Sequence, residues 1–119
     1  AVNNTAGLCP TGWHVPTDVE WTTLTNSLGG ALVAGGALKS SESDTPAWNG
    51  TNTSGFSALP GGNRDSSGNF GNVGTNGYWW SASQNGGSAW RRLFYGDNDI
   101  VNRYHSNQRL GFSVRCVRD

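Results

Sequence analysis

Hydrophobic positions are sparse along this chain, and the few regular runs decide which elements it can form. Within DVEWTTLTNSL, Trp21, Leu24 and Leu28 recur at i, i+3 and i+7, the buried stripe of an amphipathic helix. Ahead of them Thr17 and Glu20 have capping-box spacing, and Asp18 places negative charge in the first turn. Gly29-Gly30 supplies the stop. The pattern predicts a helix over 18–28. A second, shorter helix is predicted over roughly 31–39 (ALVAGGALK), weakened by Gly35-Gly36. From 40 to 77 the chain is mostly Ser, Asn, Gly, Thr and Pro. Isolated Trp48, Phe56, Leu59 and Phe70 read there as anchors pinning a long ordered loop.

Strand patterns come late. YWWSAS (78–83) and AWRRLFY (89–95) carry β-favouring aromatics, with QNGG between them as a hairpin-like turn. LGFSVRCV (110–117) alternates cleanly, with Leu110, Phe112, Val114 and Cys116 on one face and Ser113 and Arg115 on the other. Between these regular runs lies 97–109, an assortment of hydrogen-bonding side chains without apolar period. A helix first, strands late and long loops between predict an α+β architecture rather than a βαβ repeat.

Length and composition then narrow the function classes. With 119 residues, the span 1–119 reads as one domain. The formal net charge is zero and only 13% of residues are charged, which argues against nucleic acid or an anionic membrane surface as partner. No apolar run of spanning length occurs, so no direct membrane insertion is expected. AVNNTAG has neither a basic nor an apolar leader region, so any signal peptide is expected to have been removed. Sequons at Asn3, Asn49 and Asn52 carry no weight in a chain so rich in Asn and Thr.

Cys9 and Cys116 lie near opposite ends. A disulfide between them would close almost the whole chain and contribute about 4 kcal/mol; the alternative is two separate buried thiols. The bridged form implies an exported protein. Neither cysteine has a second ligand at CxxC-type spacing, so no metal is expected on them.

CPTGWHVPTDVEWTTL (9–24), AGGALKS (34–40), GFSALPGGNRD (55–65), GYWWSAS (77–83) and GFSVRCVRD (111–119) together resemble the Fibrobacter succinogenes major paralogous domain. The motifs occur in order and span most of the chain. HVPTDVEW is also similar to a segment of the formylglycine-generating enzymes. The resemblance implies a C-type-lectin-like fold, with short helices, a small antiparallel sheet, long ordered loops and termini that meet. It would bring Cys9 close to Cys116.

That resemblance does not carry an enzyme with it. Formylglycine-generating enzymes use reactive cysteines late in the chain, and Cys116 sits at an inward strand position where a structural thiol is inert. His14 and His105 lack zinc-hydrolase context, and His14 is expected to satisfy local backbone groups. No nucleophile elbow or phosphate loop occurs. The Glu-Pro-Asn, Gln-Pro-Asp and Trp-Asn-Asp tripeptides of calcium-dependent sugar-binding lectins are missing too. Asp97-Asn98-Asp99 could hold a structural calcium, but reads first as a solvated turn. No cofactor is expected.

What remains is recognition. Asn98, Asn102 and Asn107 are asparagines, and Asp97, Asp99, Ile100, Tyr104, His105 and Ser106 are each one base from an Asn codon. In layout, the C-terminal half resembles the variable proteins of diversity-generating retroelements, which display randomised side chains on C-type-lectin-like scaffolds. Trp80, Trp90 and Gln108 cannot be reached from Asn codons by adenine changes and belong to the framework on this reading. The expected function is non-catalytic ligand binding by a secreted or cell-surface domain of bacterial or phage origin. Its contact surface would fall within 84–109, through Arg91, Tyr95, Asp97, Asn98, Asn102, Tyr104, His105 and Asn107, toward a protein or glycan ligand. Arg91 and Arg103 could also pair with Asp97 or Asp99 on the surface, for under about 1 kcal/mol. Trp13, Trp21, Trp79, Trp80, Trp90, Phe94 and Phe112 are assigned to the scaffold. Two alternatives stand beside this reading: a carbohydrate-binding or adhesion module using exposed aromatic rings, and a structural domain of a larger surface protein.

Overall fold

The computed structural model describes residues 7–119; the start of the chain, with the Asn3 sequon, lies outside the described residues. In chain order the elements are β1 (Trp13–His14), α1 (Asp18–Ser27), α2 (Ala34–Leu38), β2 (Asn63–Arg64), β3 (Phe70–Gly71), β4 (Gly77–Asn85), β5 (Ser88–Phe94), β6 (Val101–Asn107) and β7 (Val117–Arg118). Helix and strand are mixed, and all named pairings are antiparallel. The fold is α+β, as expected.

The predicted first helix forms and is capped as its sequence dictates. Thr17 Oγ1 accepts from the Glu20 amide at 3.2 Å, and Glu20 returns a bond to the Thr17 amide at 2.8 Å. The second helix is shorter than expected, confined to 34–38, because the chain reaches it through turns and Gly35 must approach Asp99 closely. A Cβ on Gly35 would lie 2.6 Å from the Asp99 carbonyl oxygen.

One three-stranded sheet, in the order β4-β5-β6, dominates the molecule. Its hairpin turns tightly at Gly86-Gly87, with Gly86 at φ +60°, so β4 runs two residues beyond the predicted end. The inner face of the sheet packs on α1. Trp21, Trp79, Phe94 and Val101 meet Leu38, Trp48 and Ala58 in the core, with Phe56 inserted among the rings. Trp79 and Phe94 lie 4.5 Å apart between centroids. Of the expected loop anchors, Trp48 is buried and Phe56 partly so, but Leu59 and Phe70 are exposed. Those two do not pin the loop. Side-chain hydrogen bonds do part of that work instead, as where Asn52 joins Asp44 to Ser57 and Asn49 donates to the Gly96 carbonyl.

Two expectations exchange places. The assortment at 97–109 contains a regular strand, β6, fully laddered to β5. The cleanly alternating 110–117 is a strap with isolated bridges at Gly111 and Ser113, and becomes a strand only at Val117. Its alternation is nevertheless real: Leu110, Phe112 and Val114 line one groove of about 340 Å³. They pack sideways on β4, where Ser113 exchanges backbone bonds with Tyr78 and Trp80, so no second full ladder is needed.

The two ends of the described chain meet. β1 pairs with β7, and Cys9 is bonded to Cys116 with 5.8 Å between their Cα atoms. His14 reinforces this junction through carboxylates rather than the expected backbone groups: Nδ1 lies 2.6 Å from Asp119 and Nε2 lies 2.8 Å from Glu20. The bond with Asp119, then that with Glu20, raises the imidazole pKa above its ordinary 6.5 against a smaller effect of burial. A raised histidine stabilises fully below pH 6.5 and loses its contribution as pH climbs through the higher folded value. A proton NMR titration of the His14 ring should give a midpoint above 6.5. His14→Gln should abolish the matching alkaline decline in stability.

Candidate functional site

The register of the central sheet sorts its side chains onto two faces. Tyr78 pairs with Leu93 and Trp80 with Arg91 across β4-β5; Leu93 pairs with Asn102, Arg91 with Tyr104 and Ala89 with Ser106 across β5-β6. Alternation therefore gathers Tyr78, Trp80, Arg91, Asn102, Tyr104 and Ser106 on the outer face. Trp79, Trp90, Arg92, Arg103 and His105 belong to the inner one.

The inner face is closed by charge. Asp18, at the N-terminus of α1, accepts from Arg92 Nη1 at 2.7 Å and from Arg103 Nη2 at 2.7 Å. Arg92 also reaches the Asp18 carbonyl and Thr22, and its side chain is buried. Burial alone would raise the Asp18 pKa, but the Arg103 and Arg92 guanidiniums prevail and hold it below its ordinary 3.8. The Arg103 guanidinium carbon then sits over Trp90, 3.8 Å from the ring centre, and the His105 ring meets the same indole edge-on. Arg103 is thus a scaffold cation. Neither it nor Arg91 takes up the pairing with Asp97 or Asp99 that the sequence left open.

On the outer face Arg91 is the centre. Its Nε donates to Ser106 Oγ at 3.0 Å and its Nη1 to Asn102 Oδ1 at 2.9 Å. The rings of Tyr78 and Tyr104 flank the guanidinium at 5.8 and 5.9 Å. Partial burial lowers its pKa, opposed by the neighbouring tyrosines. Beside it Trp80 forms the floor, covered by Phe112 at 4.3 Å between centroids, and Phe112 stacks in turn on Tyr78. Tyr104 stands on the edge strand, 55% exposed. The result is a shallow polar and aromatic surface with a fixed guanidinium at its middle.

The expected contact residues do not form one patch. Arg91, Asn102 and Tyr104 come together as described. The His105 ring stacks on Tyr104 at 4.5 Å, at the strand edge. Asn107 closes β6, its Oδ1 accepting from the Arg109 amide. Tyr95 and Asp97 instead line a separate open cleft of about 680 Å³ with Trp48, Asn49 and Thr75. Asn98 holds the turn into β6 through the Ile100 amide. Asp99 faces Lys39 Nζ at 3.4 Å, so the Asp97-Asn98-Asp99 turn partners a buried lysine. Among the described residues no three His, Cys, Asp or Glu side chains converge on a possible metal position. Tyr78 lies outside the predicted span, and Ser106 was not among the expected contacts. The hairpin register would have placed both beside Arg91.

Of the aromatics assigned to the scaffold, Trp21, Trp79, Trp80 and Phe94 are buried, but Trp13 is 46% exposed. It borders an apolar slot of about 310 Å³ with Trp21, Leu24 and Phe56.

The molecule is α+β, with Cys9 bonded to Cys116 and one three-stranded sheet whose outer face carries Arg91 and the exposed Tyr104. The chain belongs to the Fibrobacter succinogenes major domain family, whose profile matches residues 1–118. Neither a curated protein nor a solved structure matches it. Among the described residues no helix is long and apolar enough to cross a membrane.

Proposed function

We propose that this is a non-catalytic recognition domain whose contact surface is the outer face of β4-β5-β6. The observation that carries this reading is the division of labour within β6. Of its inward side chains, Val101 goes to the core, Arg103 to the Asp18 ion pair and His105 against Trp90, while Asn102, Tyr104 and Ser106 turn outward around Arg91. None of these three belongs to the hydrophobic core cluster, so they can change without removing a member of it. Tyr, Asn, Ser and Arg are also the adaptable contact types of antibody loops. The family membership and the order of elements support a C-type-lectin-like scaffold. The disulfide supports export to an oxidising compartment, at the cell surface or beyond. Diversification of 97–107 is the finer form of this proposal, and AAC or AAT codons with a near-identical template copy nearby would support it. Arbitrary codons without a template would remove it.

A random peptide library panned on the native chain tests the surface. Retained peptides should lose at least about tenfold in affinity on Tyr104→Ala, an exposed aromatic anchor, with thermal stability unchanged. The half-exposed Trp13 favours a second reading, a carbohydrate-binding or adhesion module. Glycan binding lost with Trp13→Ala and indifferent to Tyr104→Ala would support that reading and contradict the first.

A further inference from the structure

We propose that Arg91 is a receptor for a carboxylate on the ligand, supplied by an acidic side chain of a protein partner. This deepens the recognition reading and rests on it. The cations around the sheet make the case by contrast. Arg92 and Arg103 share Asp18, and Lys39 has Asp99. Arg91 alone among these four has no carboxylate among the described residues, although it too is partly buried. Its two partners, Ser106 and Asn102, are neutral. They orient the guanidinium without cancelling its charge.

A guanidinium has five N–H donors in a rigid fork. Two are used here, on Nε and Nη1, which leaves one hydrogen on Nη1 and both on Nη2 for a ligand, a planar pair if Asn102 takes the Nη1 hydrogen that faces away from Nη2. That pair matches the two oxygens of a carboxylate. The flanking Tyr78 and Tyr104 rings restrict the side chain before any ligand arrives, so little rotamer freedom is lost on binding. A protein partner is favoured over an acidic glycan because Arg91 is ringed by Tyr, Asn and Ser, the adaptable contact types of protein-binding loops. Trp80 lies under Phe112 and leaves Tyr104 as the one exposed ring beside Arg91.

Sodium acetate is the probe. Titrated at constant ionic strength against chloride, it should shift the Arg91 Nε–Hε resonance and the Asn102 and Tyr104 amides saturably, with half-saturation on the order of tens of millimolar. Arg91→Lys keeps the charge but not the fork and should abolish the saturable shift of both amides. An equal response to chloride, a stronger one to phosphate than to acetate, or an unchanged response in Arg91→Lys would overturn the carboxylate site. For peptides that bind the face, changing their Asp and Glu to Asn and Gln should cost at least about tenfold in affinity. Peptides that footprint on the face but tolerate those changes would keep the recognition surface and overturn the carboxylate.

Discussion

Replacing both Cys9 and Cys116 with serine should lower the unfolding free energy by about 4 kcal/mol, read from urea denaturation. The bridge spans a sequence separation of 107, so its loss frees nearly the whole unfolded chain. Among the described residues the other links between the two ends are few. β1 and β7 contribute two residues each, the Asp119 amide donates to the Gly12 carbonyl, and His14 adds one exposed bond to Asp119. A domain of this size has a total stability of about 5–15 kcal/mol, so the loss should be a large fraction of it. A midpoint within experimental error of the parent would show that the two-residue ladder suffices.

Asp18→Asn should cost about 3 kcal/mol, because it leaves the buried Arg92 guanidinium without its counter-charge. The same change frees Arg103 from its bidentate hold and loosens its seat on Trp90. The pH dependence has a definite sign. A carboxyl held below its ordinary 3.8 stabilises fully above about pH 4 and loses that contribution as pH falls through the lower folded value. The parent should therefore lose stability in acid more steeply than Asp18→Asn. Parallel acid profiles would mean that the two guanidiniums do not depend on this carboxylate.

These two sites also show what was legible in the sequence. Thr17, Glu20 and the Trp21-Leu24-Leu28 period specified α1 almost to the residue, because capping and amphipathicity are local. The cysteines foretold the closure of the chain. β6 was concealed because its inward positions carry Arg103 and His105, and a guanidinium paired to Asp18 satisfies a sheet face as well as an apolar side chain does. No local period records a partner 85 residues away. The strap at 110–116 misled for the opposite reason. It alternates because Leu110, Phe112 and Val114 line a groove, and its backbone bonds go mainly to β4 and Arg64. Arg91, Asn102 and Tyr104 were named from residue type. Separating them from Tyr95 and Asp97 required the hairpin register, which places the latter two beyond the end of β5 and in another cleft.

The most direct measurement is the amide chemical-shift footprint of a panned peptide on the isotopically labelled native chain. The recognition account predicts perturbations centred on Tyr78, Arg91, Asn102, Tyr104 and Ser106, with α1 and the Trp13 slot silent. A footprint centred on Trp13, or on the Trp48 and Tyr95 cleft, would contradict it.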